Sequence, residues 1–530
     1  MNRQFCRVAW LVSLIAGIAN SLFAQAPLVI ESSSGFADKA TLMDSAWFRV
    51  PTTNGYSYAL LLDGRPVPAD LTNVVNRADY HELSVSRTNM STLSVSNRLI
   101  RFIIASSQRS KSTSNPPEAG LIVWTPYPPI YSAAGEFAGA QLHVVAPQDY
   151  PMNLDIPIIA RVDDAQGNER RANGLVTASG FETQAFKVRR GWGFGFLNPA
   201  TNAGAIAYNA QLASLEAPKL INIEADTAWI RTNGTLAGNV AWPENSRIYV
   251  TQNLAIPAGA SLTIGAGTII KINPLVNITN NGRLVINGTT ERPVVFTATN
   301  RVAVHRHTGA WGGFIIRGSS AVLEAQGAII TGAGGAASFA FSPAASHRDE
   351  QAALLVHSGA KAYLTNCYLV SQAGQIANVY ASDTIYDHCL LQRAITSGEY
   401  SGGGTHIFNH SAIIEFPEEI GFINATIADS DYDAIYFTEG THILMNSVVG
   451  FAKDDAIDSG SGSQGTVLVT NCWVESALHE ALAWSGGERT TRACDTVLMN
   501  SGQGIECGWS TGSDSPLCSA DHLLSLANSV

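Results

Sequence analysis

The amino-acid sequence predicts an all-β chain in which one or two β-sandwich domains precede a solenoid of stacked β coils. From about Ser246 onward, short aliphatic and β-branched runs recur with Gly, Asn and Ser between them. A polar residue followed by a small one marks the step at Asn366-Cys367, His388-Cys389, His410-Ser411, Asn446-Ser447, Asn471-Cys472, Asp495-Thr496 and Asp521-His522. The intervals are 22, 22, 36, 25, 24 and 26 residues, and Gln326-Gly327 before Ala328-Ile329-Ile330 takes the same place. A period of this length on strand-like runs is that of β coils. Leucine-rich repeats share it, but their leucine frame and helical segment are missing.

The elements follow in chain order. Arg3 and Arg7, the apolar run from Val8 to Ala19 and the small residues ending Ala24-Gln25-Ala26 have the three regions of a secretory signal peptide, assigned to residues 1–26. The run is too short to span a bilayer, so the expectation is an exported chain with no membrane insertion after signal removal, secreted or held at the cell surface. Residues 27–125 read as a β-sandwich-like domain, with alternating runs such as Trp47-Phe48-Arg49-Val50 and Leu99-Ile100-Arg101-Phe102-Ile103-Ile104. Gln108 to Glu118, rich in Ser and containing Pro116-Pro117, reads as a linker. Residues 126–240 form a second β-rich domain leading into the solenoid, and the segment Arg189 to Phe196 reads as a docking turn, its glycines too irregular for a dinucleotide fingerprint.

Residues 241–530 are assigned to the solenoid. The Asn, His and Asp of each pair form a bend column, with Cys367, Cys389 and Cys472 packing beside it as small hydrophobes. The 36-residue interval implies an excursion over about 416–431, and a similar one runs from Gly332 to Glu350. Cys507 and Cys518 flank a polar loop and are candidates for a bridge; no C-x-x-C pair supports structural zinc. The chain stops partway through a coil, so continuation beyond Val530, or cover from another chain, is expected. With 43 acidic against 32 basic residues and a net charge of −11, nucleic acid is excluded as a partner.

The opening coil Leu254-Ala255-Ile256-Pro257-Ala258-Gly259-Ala260-Ser261-Leu262-Thr263-Ile264, then Gly267-Thr268-Ile269-Ile270, resembles the start of right-handed parallel β-helix domains in bacterial secreted and surface proteins. So do Gly288-Thr289 and Pro293-Val294-Val295-Phe296-Thr297. The resemblance covers about 240–530 and implies the pectate-lyase-like superfamily, which contains lyases, hydrolases, esterases, adhesins and phage tailspikes. Fold alone therefore leaves activity open.

Aligning coils on the inward aliphatic brings Asp433-Ala434-Ile435, Asp455-Ala456-Ile457, Glu480-Ala481-Leu482 and Gln503-Gly504-Ile505 into one frame. Asp454, Asp458, His479 and Glu506 stand beside it. Carboxylates about 5 Å apart repel by roughly 3 kcal/mol at an effective dielectric of about 20, so a sheltered column needs help. Three arrangements supply it: a Ca²⁺ held by Asp433, Asp455 and Glu480, a shared proton with one raised pKa, or exposure to water. Asp454, Asp455, Asp458, His479 and Glu480 are the candidate catalytic residues for glycosidic chemistry, with Tyr436, Trp484 and Trp509 as rings for sugar faces. Asp454-Asp455 resembles the paired aspartates of polygalacturonase-type hydrolases, without their following Gly-His-Gly and Arg-Ile-Lys. Asp387-His388-Cys389 resembles a pectate-lyase motif, but position 388 belongs to the bend column and the accompanying Trp and Arg cluster are missing.

Two functions follow. One is an exported protein that binds an extracellular polysaccharide and cleaves it, as hydrolase or lyase. The other is a non-catalytic surface or adhesion protein with the solenoid as a rigid spacer.

Overall fold

The computed structural model describes residues 28–526 apart from 39, 44, 64, 77–78, 106–136, 180–183, 340–347, 417–432, 453, 461–464, 478–479, 485–488, 500, 502, 508–516 and 522–523. Among the described residues the regular elements are strands throughout. The signal peptide, the whole of the proposed linker and the 416–431 excursion after Phe416 fall outside them.

From Asn239 onward each coil contributes three strands to three parallel faces. The first face runs in eleven strands from Asn239–Trp242 to Leu517–Asp521. The strand Arg247–Ile256 opens both other faces: its first part pairs with Ile269–Ile272 of the second, which ends at Leu524–Leu526, and its last part with Asn277–Asn280 of the third, which ends at Gln503–Cys507. Parallel pairing without slippage stacks equivalent residues. One interior column of the first face reads Leu262, Leu284, Leu323, Ala362, Thr384, His406, His442, Val467 and Thr491. Period-2 alternation explains the burial along these strands, inward positions being sealed and outward ones partly open.

The bend between first and second faces is a column of left-handed residues: Asn366, His388, His410, Asn446, Asn471 and Asp495 all have φ between 46° and 54°. Asn and Asp tolerate this conformation because their side chains bond locally, and here the amides also link coils. Asn446 Nδ2 donates to Asn409 Oδ1 at 2.9 Å, and Asn471 Nδ2 to Asn446 Oδ1 at 2.8 Å. The structure removes two members from the expected column. Gly327, with φ 61°, holds the bend in place of Gln326, which lies in the strand below Thr365. Asp521 pairs with Cys494 inside a strand and so is not a bend residue. Beside the column Cys367, Cys389, Ser411, Ser447 and Cys472 are buried, their thiols and hydroxyls donating to strand carbonyls.

The N-terminal strands form two further bodies. Residues 31–105 make a three-stranded and a five-stranded sheet around Phe48, Leu83, Val85, Ile100 and Phe102. Residues 140–224 make an eight-stranded sheet whose core is continuous with the outward column of the second face: Ile269, Val295, Ile329, Tyr368, Leu390, Ala412 and Val448. The second face is therefore closed by its own N-terminal sheet. The Arg189 to Phe196 segment is a hairpin that meets the solenoid.

One polar interior feature has a measurable consequence. His406 stacks on His442 at 5.0 Å and shares a 3.0 Å hydrogen bond with Thr384 Oγ1. Burial holds its pKa down at about 4. The fold thus favours the neutral imidazole, so its stabilisation is full above the unfolded value of about 6.5 and is lost as pH falls toward 4. Differential scanning calorimetry should show His406→Asn flattening that acid limb by up to about 3 kcal/mol. Equal acid sensitivity in the variant would contradict the assignment.

Candidate functional site

The third face carries the acidic residues. Ile435, Ile457, Leu482 and Ile505 stack in the interior, so the residues two before them, Asp433, Asp455, Glu480 and Gln503, occupy equivalent places on consecutive coils. Below them the same place is held by Ala352, Gln375 and Thr396. The coil corners here, as the chain leaves the second face, which brings the side chains together rather than spreading them along a strand.

Each carboxylate is tied to the coil above it. The Asp455 amide donates to Asp433 Oδ1 at 3.2 Å and the Glu480 amide to Asp455 Oδ1 at 2.8 Å. Backbone bonds run alongside, Ala434 N to Asp455 O at 2.8 Å and Ala456 N to Glu480 O at 3.0 Å. Asp433, Asp454, Asp455 and Glu480 are all buried, Glu480 completely. Exposure to water is thus removed from the three arrangements that could relieve the repulsion.

Asp458 comes from the outward column of the same face, which reads Asn378, Glu399, Tyr436, Asp458, Ala483 and Glu506. Its carboxylate meets those of Asp433 and Asp455, one oxygen from each lying within 4.8 Å of the others. Burial, then the charges of Asp458, Asp454 and Asp455, push the Asp433 carboxyl well above the usual range. Burial, then Asp455 and a hydrogen bond shared with it, and then Glu506, push Glu480 far above the range as well. Burial and like charge thus bias both carboxyls toward carrying a proton.

The structure modifies the ligand set expected from sequence. The three carboxylates that converge are Asp433, Asp455 and Asp458, with Asp458 in place of Glu480. Glu480 sits a coil higher, where its carboxyl is drawn to Asp455 and Glu506. Hard oxygens this close fit an ion with Ca–O bonds of about 2.3–2.6 Å, whose opposite ligands stand about 5 Å apart.

The aromatic expectations divide. Trp484 is not a sugar platform: it shares the interior column of Phe437 and Ser459 and is 1% exposed. Tyr436 is in the outward column directly below Asp458, largely covered, with its ring lying against Gly460, where a Cβ would strike the phenol. His479 and Trp509 lie outside the described residues. Sequence reasoning missed Glu399, directly below Tyr436. It is visible only once the outward column is followed downward past the long excursion.

Residues 234–342 match the family model described as a pectate-lyase like beta helix domain. The chain carries a pectate-lyase-like β-helix domain. The acidic cluster lies on later coils of that β-helix, beyond the matched segment. No curated protein matches the chain. Among solved structures, Parabacteroides merdae β-glucuronidase is similar at 9% identity over 37% of this chain, with a TM-score of 0.13. The three N-terminal domains of the bacteriophage RB49 outer capsid protein Hoc give 13% identity, 41% of this chain, 64% of that chain and 0.13. Titin Ig tandem domains A164-A165 give 7%, 38%, 99% and 0.12. The match spans about a quarter, 25%, of the β-glucuronidase.

These two raised carboxyls make stability depend on pH in a defined direction. Their folded-state pKa values lie above the unfolded values of about 4, so the neutral acids' contribution is full below that pH and is lost as pH rises. In buffer freed of divalent cations, the thermal midpoint should therefore fall on the alkaline side. Glu480→Gln, which keeps a neutral group there, should recover about 1–2 kcal/mol at alkaline pH and nothing at pH 4. Parallel melting curves for the two proteins across pH would contradict this.

Proposed function

We propose that the protein is exported, binds an extracellular polysaccharide along the third face of its β-helix and cleaves it by acid–base chemistry at the acidic corner. The observation that carries the reading is the gathering of buried carboxyls at one corner, where Asp433, Asp455 and Asp458 converge and Asp433 and Glu480 are pushed toward the protonated form. A glycosidic bond needs one carboxylic acid to protonate the leaving oxygen and one carboxylate to act as nucleophile or to activate water. Glu480, pushed toward the neutral form, takes the first role, which requires a bound chain to open the corner because its carboxyl is fully buried without one. Asp455, whose Oδ1 accepts the Glu480 amide, supplies the second, with Asp458 and Asp454 beside it.

Carboxyl groups on adjacent coils approach the separation of about 5–5.5 Å of a retaining pair. A Ca²⁺ at Asp433, Asp455 and Asp458 would neutralise charge and orient substrate oxygens at the same corner. Tyr436, below Asp458, lines the approach. The N-terminal signal sequence supports export, and with it the secreted or cell-surface setting in which such a substrate is met.

The mature chain, incubated with neutral and acidic polysaccharides with and without Ca²⁺, should release reducing ends or unsaturated sugars. Asp455→Asn and Glu480→Gln should each lower the rate at least a hundredfold while binding is retained. Binding without product release, unchanged by both substitutions, would favour the rigid-spacer reading, in which the N-terminal sandwiches do the recognising.

A further inference from the structure

The N-terminal eight-stranded sheet reaches the solenoid through the hairpin formed by Gln184–Arg189 and Trp192–Leu197, with Arg190 and Gly191 at its tip. Both tip residues are left-handed, φ 48° and 92°. Gly191 is suited to that conformation and a Cβ there would strike the Arg170 carbonyl; Arg190 is a residue type that rarely adopts it. The Asn173 side chain accepts the Arg190 amide at 2.8 Å and helps to hold the turn.

The two arginines contact three consecutive coils. Arg189 Nε donates to Glu415 Oε1 at 2.6 Å, and its guanidinium lies 4.5 Å from the Phe451 ring. Arg190 grips Glu475 with two nitrogens, Nε at 2.5 Å and Nη2 at 3.0 Å, and lies 4.5 Å from the Trp473 ring. Arg189, Arg190, Glu415 and Glu475 are all buried.

The contacted residues end the second-face strands Ala412–Phe416, Val448–Ala452 and Trp473–Glu475. The acidic residues that follow those strands in the chain are Asp433, then Asp454 and Asp455, then Glu480. Glu415, Phe451 and Ser476 are themselves left-handed, with φ of 59°, 55° and 59°. The arginines thus hold the three second-face strands that precede the carboxyls on their own coils.

We propose that Arg189 and Arg190 are positioning residues for the acidic site, fixing the relative height and rotation of the three coils whose corners assemble it. The inference rests on reading Asp455 and Glu480 as the working acids, although its structural part can be tested without them. A bidentate guanidinium–carboxylate pair sets direction as well as distance, and an ammonium does not. The effect should therefore be felt at the carboxyl corner and not along the first face.

The full mature chain carrying Arg190→Met, Arg190→Lys or Arg189→Met is to be followed by hydrogen exchange and by turnover of whichever polysaccharide the parent cleaves. Arg190→Met should speed exchange of the Asp455 and Glu480 amides at least tenfold, leave the first-face strands Lys361–Thr365 and Asp383–Asp387 unchanged, and lower kcat more than it raises KM. Arg190→Lys should show a smaller effect in the same places if Arg190→Met does not fold. Unchanged exchange at those two amides, or a uniform rise over all coils, would overturn the proposal. If the parent chain cleaves nothing, the proposed function fails on its own account and exchange alone decides the role of the arginines.

Discussion

Parallel in-register pairing is the constraint from which the rest of this molecule follows. Once each coil hydrogen-bonds to the next, every side chain must lie above its equivalent at about 4.8 Å, and the sequence has to be acceptable as a set of columns. Aliphatic residues satisfy that requirement readily in the first-face column from Leu262 to Leu323. Aromatic residues satisfy it by stacking, as Tyr386 and Phe408 do at 4.7 Å between centroids. Asparagines satisfy it by passing hydrogen bonds from coil to coil. Like charges satisfy it only through protonation, a counter-ion or water.

The same constraint explains the division of labour among the faces. The outward second-face column from Ile269 to Val448 is apolar and would be an exposed sheet surface without the N-terminal sheet that packs on it. That packing leaves the third face as the one with corners long enough to build on, because insertions enter where the chain passes from the second face to the third. The buried pairs Arg189–Glu415 and Arg190–Glu475 fit this arrangement better as register devices than as sources of stability. Desolvating two charges offsets most of what their attraction returns, whereas their geometry tolerates little sliding of one body over the other.

Much of this was legible in the sequence because a solenoid repeats its own instructions. The 22-residue steps between Asn366, His388 and His410 gave the frame, and the frame placed Asp433, Asp455 and Glu480 on successive coils, as the pairing of Ile435, Ile457 and Leu482 shows. Gln326 stands one residue short of the bend because the physical requirement there is a left-handed backbone, not polarity, and Gly327 meets it. Trp484 shares the parity of Leu482 and faces inward, which removes it from the rings available to a sugar face. The convergence of Asp458 with Asp433 and Asp455 was out of reach, since it depends on how sharply the chain corners, which side-chain period does not encode. Contacts from Arg189 and Arg190 to residues more than 200 positions away were equally invisible to a local pattern.

The acidic column is separated from ordinary solenoid structure by what occupies the same place lower down. Ala352, Gln375 and Thr396 stand in that column and are buried as the acids are, so the corner itself accepts neutral residues of several sizes. Gln375 donates its amide nitrogen there to the Glu350 carbonyl at 2.9 Å. Nothing in the backbone therefore calls for carboxylates at 433, 455 and 480. Three in succession, joined by Asp454 and Asp458, raise the energy of the folded chain by roughly 3 kcal/mol for each close ionised pair at an effective dielectric of about 20. A fold that places an amide and a hydroxyl in the same column on the preceding coils sets these acidic coils apart from the rest of its own solenoid.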